Sequence, residues 1–99
     1  MNINTNIVNT IVTGVIDNIN LDCEQTYVGR LRKCSATVWE TNHWYLLRSY
    51  RTFVAAIDKE TGILYDFLRY VYGYTATSAQ HIAKFANDYH ATQRYTYRP

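Results

Sequence analysis

Residues 49–89, SYRTFVAAIDKETGILYDFLRYVYGYTATSAQHIAKFANDY, decide the fold, because they predict strand, tight turn, strand and capped helix without a linker. Residues 51–57 alternate as a strand does, with Phe53, Ala55 and Ile57 on one predicted face. Residues 58–62 then predict a turn, since Asp58 can accept bonds from turn amides and Gly62 can adopt the left-handed conformation. Residues 63–72 are predicted to return as the partner strand.

A helix is predicted directly after this hairpin, over residues 77–90. Thr77 and Gln80 have the spacing of a capping box, in which each side chain satisfies a free backbone amide at the start of a helix. The predicted apolar stripe comprises Ala79, Ile82, Phe85, Ala86 and Tyr89. Residues 91–99 show no periodicity and are predicted to be a loose tail.

The N-terminal residues 1–20 predict an amphipathic helix, because their apolar residues recur three and four positions apart. These residues are Ile3, Ile7, Val8, Ile11, Val12, Val15, Ile16 and Ile19. All are β-branched and Gly14 lies among them, so this helix would be weak in isolation and would need a partner surface. The partner surface could be the domain's own core or the seam of a homodimer, and the sequence leaves both open.

Residues 36–72 carry the predicted sheet, preceded by a connector over residues 20–35 that has room for a short strand. Residues 37–39 predict one strand and residues 40–43 a reversal. From Trp44 onward, a single long strand bent near Ser49 and two separate strands fit equally well. The sequence therefore predicts one α+β domain over residues 1–99: an antiparallel meander of three or four strands with both terminal helices packed on one face.

Composition narrows the class of protein. The chain has 99 residues, 47% hydrophobic and 18% charged, which is typical of one globular domain. Its net charge of +2 is modest, and a dedicated duplex-DNA binder usually carries a denser basic face. No apolar run is long enough to span a bilayer, and the N-terminus lacks the pattern of a signal peptide. A cytoplasmic location, without a membrane partner, is the resulting expectation.

The cysteine and histidine residues predict no metal site. Cys23 and Cys34 lack companions at zinc-binding spacing, and we expect them to be reduced, although a disulfide between them stays open. His43, His81 and His90 show no spacing typical of paired ligands, so structural or solvated roles are predicted. No cofactor is expected.

Catalytic motifs are not recognisable either. Neither Ser49 nor Ser78 lies in a glycine-rich elbow, and the four glycines are scattered. We therefore expect no catalytic residue and no enzymatic activity. A small hydrolase or nuclease remains a third hypothesis, and it would require His43 or His81 to meet carboxylates in a cleft.

One constellation of aromatic and arginine residues stands out on neighbouring predicted strands. Its members are Trp44, Arg48, Tyr50, Arg51, Arg69, Tyr70, Tyr72 and Tyr74. Such residues are enriched at protein-binding hot spots, and on a sheet they can also stack against single-stranded nucleic acid. A third interpretation makes the rings core residues and the arginines a solvated edge.

The same region resembles a family. The order Ser49-Tyr50-x-Thr52-x-Val54, a hairpin, and then Tyr74-Thr75-x-Thr77-Ser78-x-x-His81-Ile82-x-x-Phe85 is similar to small, mostly uncharacterised proteins of phages and mobile elements. The resemblance covers residues 49–89 and carries no catalytic residue with it. It implies a non-enzymatic accessory protein that binds and modulates or inhibits a host protein, such as an immune nuclease, as anti-CRISPR proteins do. Single-stranded nucleic-acid binding through the Arg/Tyr-rich face is the alternative.

Overall fold

The computed structural model describes residues 4–21, 24–31 and 34–99, so the question of a Cys23–Cys34 disulfide lies outside the described residues. Three helices and six strands are assigned in these segments. The helices are α1 Thr5–Leu21, α2 Leu68–Val71 and α3 Ala76–Asp88. The strands are β1 Thr26–Arg30, β2 Thr37–Glu40, β3 Trp44–Ser49, β4 Thr52–Asp58, β5 Ile63–Asp66 and β6 Gln93–Thr96.

The six strands form one mixed sheet in which spatial order follows chain order. Strands β1 to β5 make an antiparallel meander, and β6 pairs in parallel with β5. The predicted α+β class is confirmed, whereas the predicted count of three or four strands is wrong. The connector over residues 20–35 contains β1, and the tail predicted to be loose contains β6.

The two long helices lie on opposite faces of the sheet, which corrects the prediction that both pack on one face. Leu46 and Leu47 are neighbours on β3 and point to opposite sides. Leu46 packs in a cluster with the α1 residues Val12, Val15 and Ile19. Leu47 packs in a second cluster with the α3 residues Ile82 and Phe85. The central strands are apolar on both faces, and one helical stripe can cover only one of them.

A β-bulge in β4 changes which side chains share a face. Leu47 pairs with Ala55 and Arg48 pairs with Phe53, so Val54 is an extra residue in β4. Val54 and Ala55 both pack on the α3 side, while Phe53 packs on the α1 side. The predicted shared face of Phe53, Ala55 and Ile57 is therefore wrong for Phe53.

Strand β5 ends six residues earlier than predicted, because the chain turns into a short helix after Asp66. Asp66 Oδ1 accepts a hydrogen bond from the Leu68 amide at 3.1 Å, and α2 follows. Its Oδ2 accepts from Arg94 Nη2 of β6 at 2.7 Å, and the ring of Tyr95 stacks on that of Tyr65. These contacts hold the C-terminal residues against the sheet as a sixth strand.

The structure confirms the predicted turn at residues 58–62 and corrects the predicted cap of the C-terminal helix. Asp58 Oδ1 accepts from the amides of Glu60 and Thr61 at 2.8 and 3.2 Å, and Gly62 has a φ of 77°, so the predicted turn is confirmed. Helix α3 is capped by Thr75, whose Oγ1 accepts from the Ser78 amide at 3.1 Å, and not by Thr77. Within the three described segments, no helix is long and apolar enough to cross a membrane.

Candidate functional site

Four exposed tyrosines gather where the β3–β4 turn meets α2 and the residues that follow α2. They are Tyr50, Tyr70, Tyr72 and Tyr74, here called the tyrosine patch, and they are 56%, 53%, 52% and 57% exposed. A single exposed tyrosine is ordinary, because its ring is apolar and its tip polar, but a cluster of four half-exposed rings points to a binding surface. Val71 of α2 is also partly exposed beside them.

Each ring of the tyrosine patch is held by a neighbour. Tyr50 and Tyr72 stack with ring centroids 6.3 Å apart and planes 20° apart. Tyr70 meets the ring of Tyr97 edge-on at 5.0 Å, and the Arg69 guanidinium lies 4.7 Å above the ring of Tyr74. Rings that are already positioned lose less conformational freedom when a partner binds.

Tyr50 is positioned by a buried hydrogen-bond network beneath it. Ser49 Oγ lies 2.9 Å from Ser78 Oγ and 2.9 Å from His81 Nδ1, and all three residues are buried. This network ties the end of β3 to α3. The next residue, Tyr50, has a φ of 58°, a left-handed conformation that is strained for a residue other than glycine. The network and the Tyr50–Tyr72 stack hold the strained turn in place.

Burial lowers the pKa of His81, and the nearby Lys84 charge lowers it further. His81 is therefore neutral at pH 7, and its Nδ1 can accept from the Ser49 hydroxyl while Ser49 accepts from Ser78. The serine–histidine distance would suit a nucleophile and its base. Both hydroxyls are shielded from solvent, however, so a substrate carbonyl cannot reach them.

The structure brings six of the eight predicted binding residues together and separates two. Tyr50, Arg51, Arg69, Tyr70, Tyr72 and Tyr74 lie at the turn and around α2. The predicted placement of Arg69, Tyr70 and Tyr72 on a strand is wrong, since they belong to α2 and the residue after it. Trp44 is buried in the α1-side core, edge-on to Tyr65 at 6.0 Å. Arg48 lies elsewhere, on the sheet face that α1 packs against.

Arg48 belongs to a second aromatic surface that the sequence did not predict. It comprises Tyr27 of β1, Trp39 of β2, Arg48 of β3 and Phe53 of β4, here called the open sheet face. The Tyr27 and Trp39 rings are 5.3 Å apart, and the Trp39 and Phe53 rings 6.3 Å apart. The bulge at Val54 places Phe53 on the α1 side of the sheet. No local sequence pattern predicts that bulge. Tyr27 is 51% exposed.

The Arg48 guanidinium on this surface lacks a hydrogen-bond acceptor for its Nε among the residues that the structure describes. Its Cζ lies 6.0 Å from the Trp39 ring and 5.9 Å from the Phe53 ring. Its Nε is buried and has no hydrogen-bond partner within the described residues. An unsatisfied buried donor of this kind destabilises a fold by about 1–3 kcal/mol.

A cleft of about 590 Å³ opens at the opposite end of β3. Its described lining consists of Asn18, Asn42, His43, Trp44, Asp58, Lys59 and Glu60. His43 thus lies in a cleft with two carboxylate residues, as the hydrolase hypothesis requires. Asp58 Oδ1 is engaged by two turn amides, and Lys59 Nζ donates to Glu40 and to the Thr41 carbonyl. Among the described residues, no three His, Cys, Asp or Glu side chains are grouped to hold a metal ion.

Comparison of the chain with protein-family models, with curated proteins and with solved structures gave no significant match.

Proposed function

We propose that this protein is a non-enzymatic binding protein that uses the tyrosine patch to hold a protein partner. One observation carries the proposal: four half-exposed tyrosines share one end of the molecule with two arginines. Tyr and Arg are the residue types that most often dominate binding energy at protein interfaces. Tyrosine also provides a large contact area with few rotatable bonds, which keeps the entropic cost of binding small.

The charge of the patch predicts the character of the partner. Arg51 and Arg69 form no ion pair within the described segments, although Arg69 lies against the Tyr74 ring. The acidic residue nearest in sequence, Asp66, is buried and paired with Arg94. An aromatic surface with two unpaired guanidinium groups complements a partner that presents carboxylates around an apolar centre.

The motif resemblance supports the proposed biological setting. The pattern that resembles phage and mobile-element proteins includes Ser49 and Tyr50 at one end of the stretch and Ser78 and His81 at the other. These residues form the network under the patch and the ring next to it. We propose a host protein as the partner, with an immune nuclease as one candidate, and the cytoplasm of the host cell as the place of action.

A homodimer is a second candidate for part of the surface. Ile7 and Ile11 of α1 are 56% and 37% exposed, whereas Val12, Val15 and Ile19 are buried against the sheet. One face of α1 thus packs in the core, while the apolar side chains of Ile7 and Ile11 in its first turns are exposed to solvent. Light scattering on the wild type and on Ile7→Asn tests this, because a dimer through these residues would dissociate in the variant.

Affinity capture from host lysate tests the main proposal with a matched pair of variants. Tyr72→Ala removes a patch ring, and Tyr27→Ala removes an equally exposed tyrosine from the open sheet face. We expect a stoichiometric partner that the wild type and Tyr27→Ala retain and Tyr72→Ala loses. Absence of any stoichiometric partner, or equal capture by both variants, would contradict the proposal.

A further inference from the structure

We propose that the open sheet face is a separate binding site for single-stranded nucleic acid. In this site the bases stack on Tyr27, Trp39 and Phe53, and Arg48 contacts the phosphate backbone or a base oxygen. The site lies on the face that packs against α1, and it shares no residue with the tyrosine patch. Binding at this site does not require the proposed protein partner.

The strand register places these side chains on one surface. Tyr27 of β1 is directly opposite Trp39 of β2, and Arg48 of β3 is directly opposite Phe53 of β4. Directly paired residues of antiparallel strands share a face. Helix α1 packs mainly over β5 and β6 and the neighbouring Leu46 and Ala56. The rings toward β1 are consequently covered only in part.

The aromatic geometry suits planar ligands. Tyr27 and Trp39 meet at an interplanar angle of 72°, and Trp39 and Phe53 at 86°. Rings packed edge to face do not occupy each other's faces fully, so a partly exposed ring can still take a base. Trp39 is also fixed in orientation, because its Nε1 donates to Thr37 Oγ1 at 3.0 Å. Stacking on such rings is a general mode of binding single strands.

The charge of the surface selects an anionic ligand. Arg48 has no carboxylate partner in the described part of the chain, and its buried Nε lacks an acceptor. Arg30 of β1 is opposite Thr37, and Thr37 is in turn opposite Arg48, so the two arginines flank one position of the same face. Phosphates meet these guanidinium groups while bases meet the rings, and a duplex could not offer both at once.

Fluorescence anisotropy with a labelled oligothymidine of about 12 nucleotides tests the proposal, with oligouridine and a duplex of equal length as parallel probes. We expect binding of the single strands that weakens steeply as salt rises. Tyr27→Ala should weaken it about tenfold, as should Arg48→Gln, which keeps a polar side chain on β3. Tyr72→Ala, in the tyrosine patch, should leave it unchanged.

Circular dichroism shows whether each variant is folded. If Arg48→Gln does not fold, the Tyr27→Ala variant still tests the proposal. The proposal is overturned if neither single strand binds at low salt, or if the duplex binds as tightly as the single strands. It is also overturned if Tyr72→Ala weakens binding while Tyr27→Ala does not, since the single strand would then lie on the tyrosine patch.

Discussion

Ser49 Oγ lies 2.9 Å from Nδ1 of His81, although the two residues are 32 positions apart in the chain. This contact joins the end of β3 to the first half of α3 and is buried. It also places the strained Tyr50 turn directly above α3, where the Tyr50 ring stacks on Tyr72. The position of the proposed binding surface thus depends on a polar contact in the core.

Removal of His81 should destabilise the fold measurably. His81→Ala leaves the buried Ser49 hydroxyl without its His81 acceptor, and we expect a loss of about 1–3 kcal/mol of unfolding free energy. Urea denaturation followed by circular dichroism measures it. His90→Ala is the control, since His90 is exposed. An unchanged urea midpoint for His81→Ala would show that the network contributes no stability.

Stability should fall on acidification because of His81. Burial lowers the pKa of folded His81 below the ordinary value of 6.5, so the unfolded chain binds the proton more readily. The contribution of neutral His81 is complete above pH 6.5 and is lost as the pH falls through and below that value. Urea denaturation at a series of pH values measures this. His81→Asn cannot titrate there, and a slope that persists in it would contradict the assignment.

Asp66 should matter more to stability than Arg94. Asp66 is buried and accepts from both the Leu68 amide and Arg94, whereas Arg94 is partly exposed. Asp66→Ala removes the acceptor of the buried Leu68 amide and the ion-pair partner of Arg94, so we expect a loss of about 2–4 kcal/mol. Arg94→Ala should lose about 1–2 kcal/mol, because the buried carboxylate keeps its bond from the Leu68 amide and removal of the half-exposed Arg94 side chain opens it to water. Thermal melts compare the two, and the reverse order would contradict this account.

Two glycine substitutions should act in opposite directions. Gly62 has a φ of 77°, and a Cβ there would approach Thr92 Cγ2 to 3.0 Å, so Gly62→Ala should destabilise by about 1–2 kcal/mol. Gly14 lies inside α1, and a methyl group added to it would meet no atom within 4 Å, so Gly14→Ala should stabilise by about 0.5–1 kcal/mol. Thermal melts of both variants check the signs. A destabilised Gly14→Ala would mean that the methyl group meets a neighbour.

The two proposed surfaces should be separable by mutation. Tyr74→Ala and Tyr72→Ala should weaken the protein partner and leave oligothymidine binding intact. Tyr27→Ala should do the opposite, because its ring lies on the open sheet face. The tyrosine-patch variants are the controls for Tyr27→Ala, and Tyr27→Ala is the control for them. Equal loss of both activities in any one of these variants would show that there is a single surface.

Local chemistry made part of the fold predictable. The turn at residues 58–62 follows from Asp58 and Gly62 alone, because both side-chain bonding and backbone freedom are local properties. The apolar spacing of residues 1–20 likewise indicated the helix that the structure places at Thr5–Leu21. The sequence also grouped Tyr50, Tyr70, Tyr72 and Tyr74 with neighbouring arginines, and all four rings are about half exposed in the structure.

The amino-acid sequence by itself determined the α+β class, the 58–62 turn and a cluster of tyrosines and arginines around residues 50–74. Tertiary structure alone decided that the terminal helices take opposite faces, that β6 adds to β5, and that Ser49 meets His81. It also decided, through one extra residue at Val54, that Phe53 joins Trp39 and Arg48. These outcomes depend on strand register and on long-range packing, which are settled only when distant segments compete for the same surface.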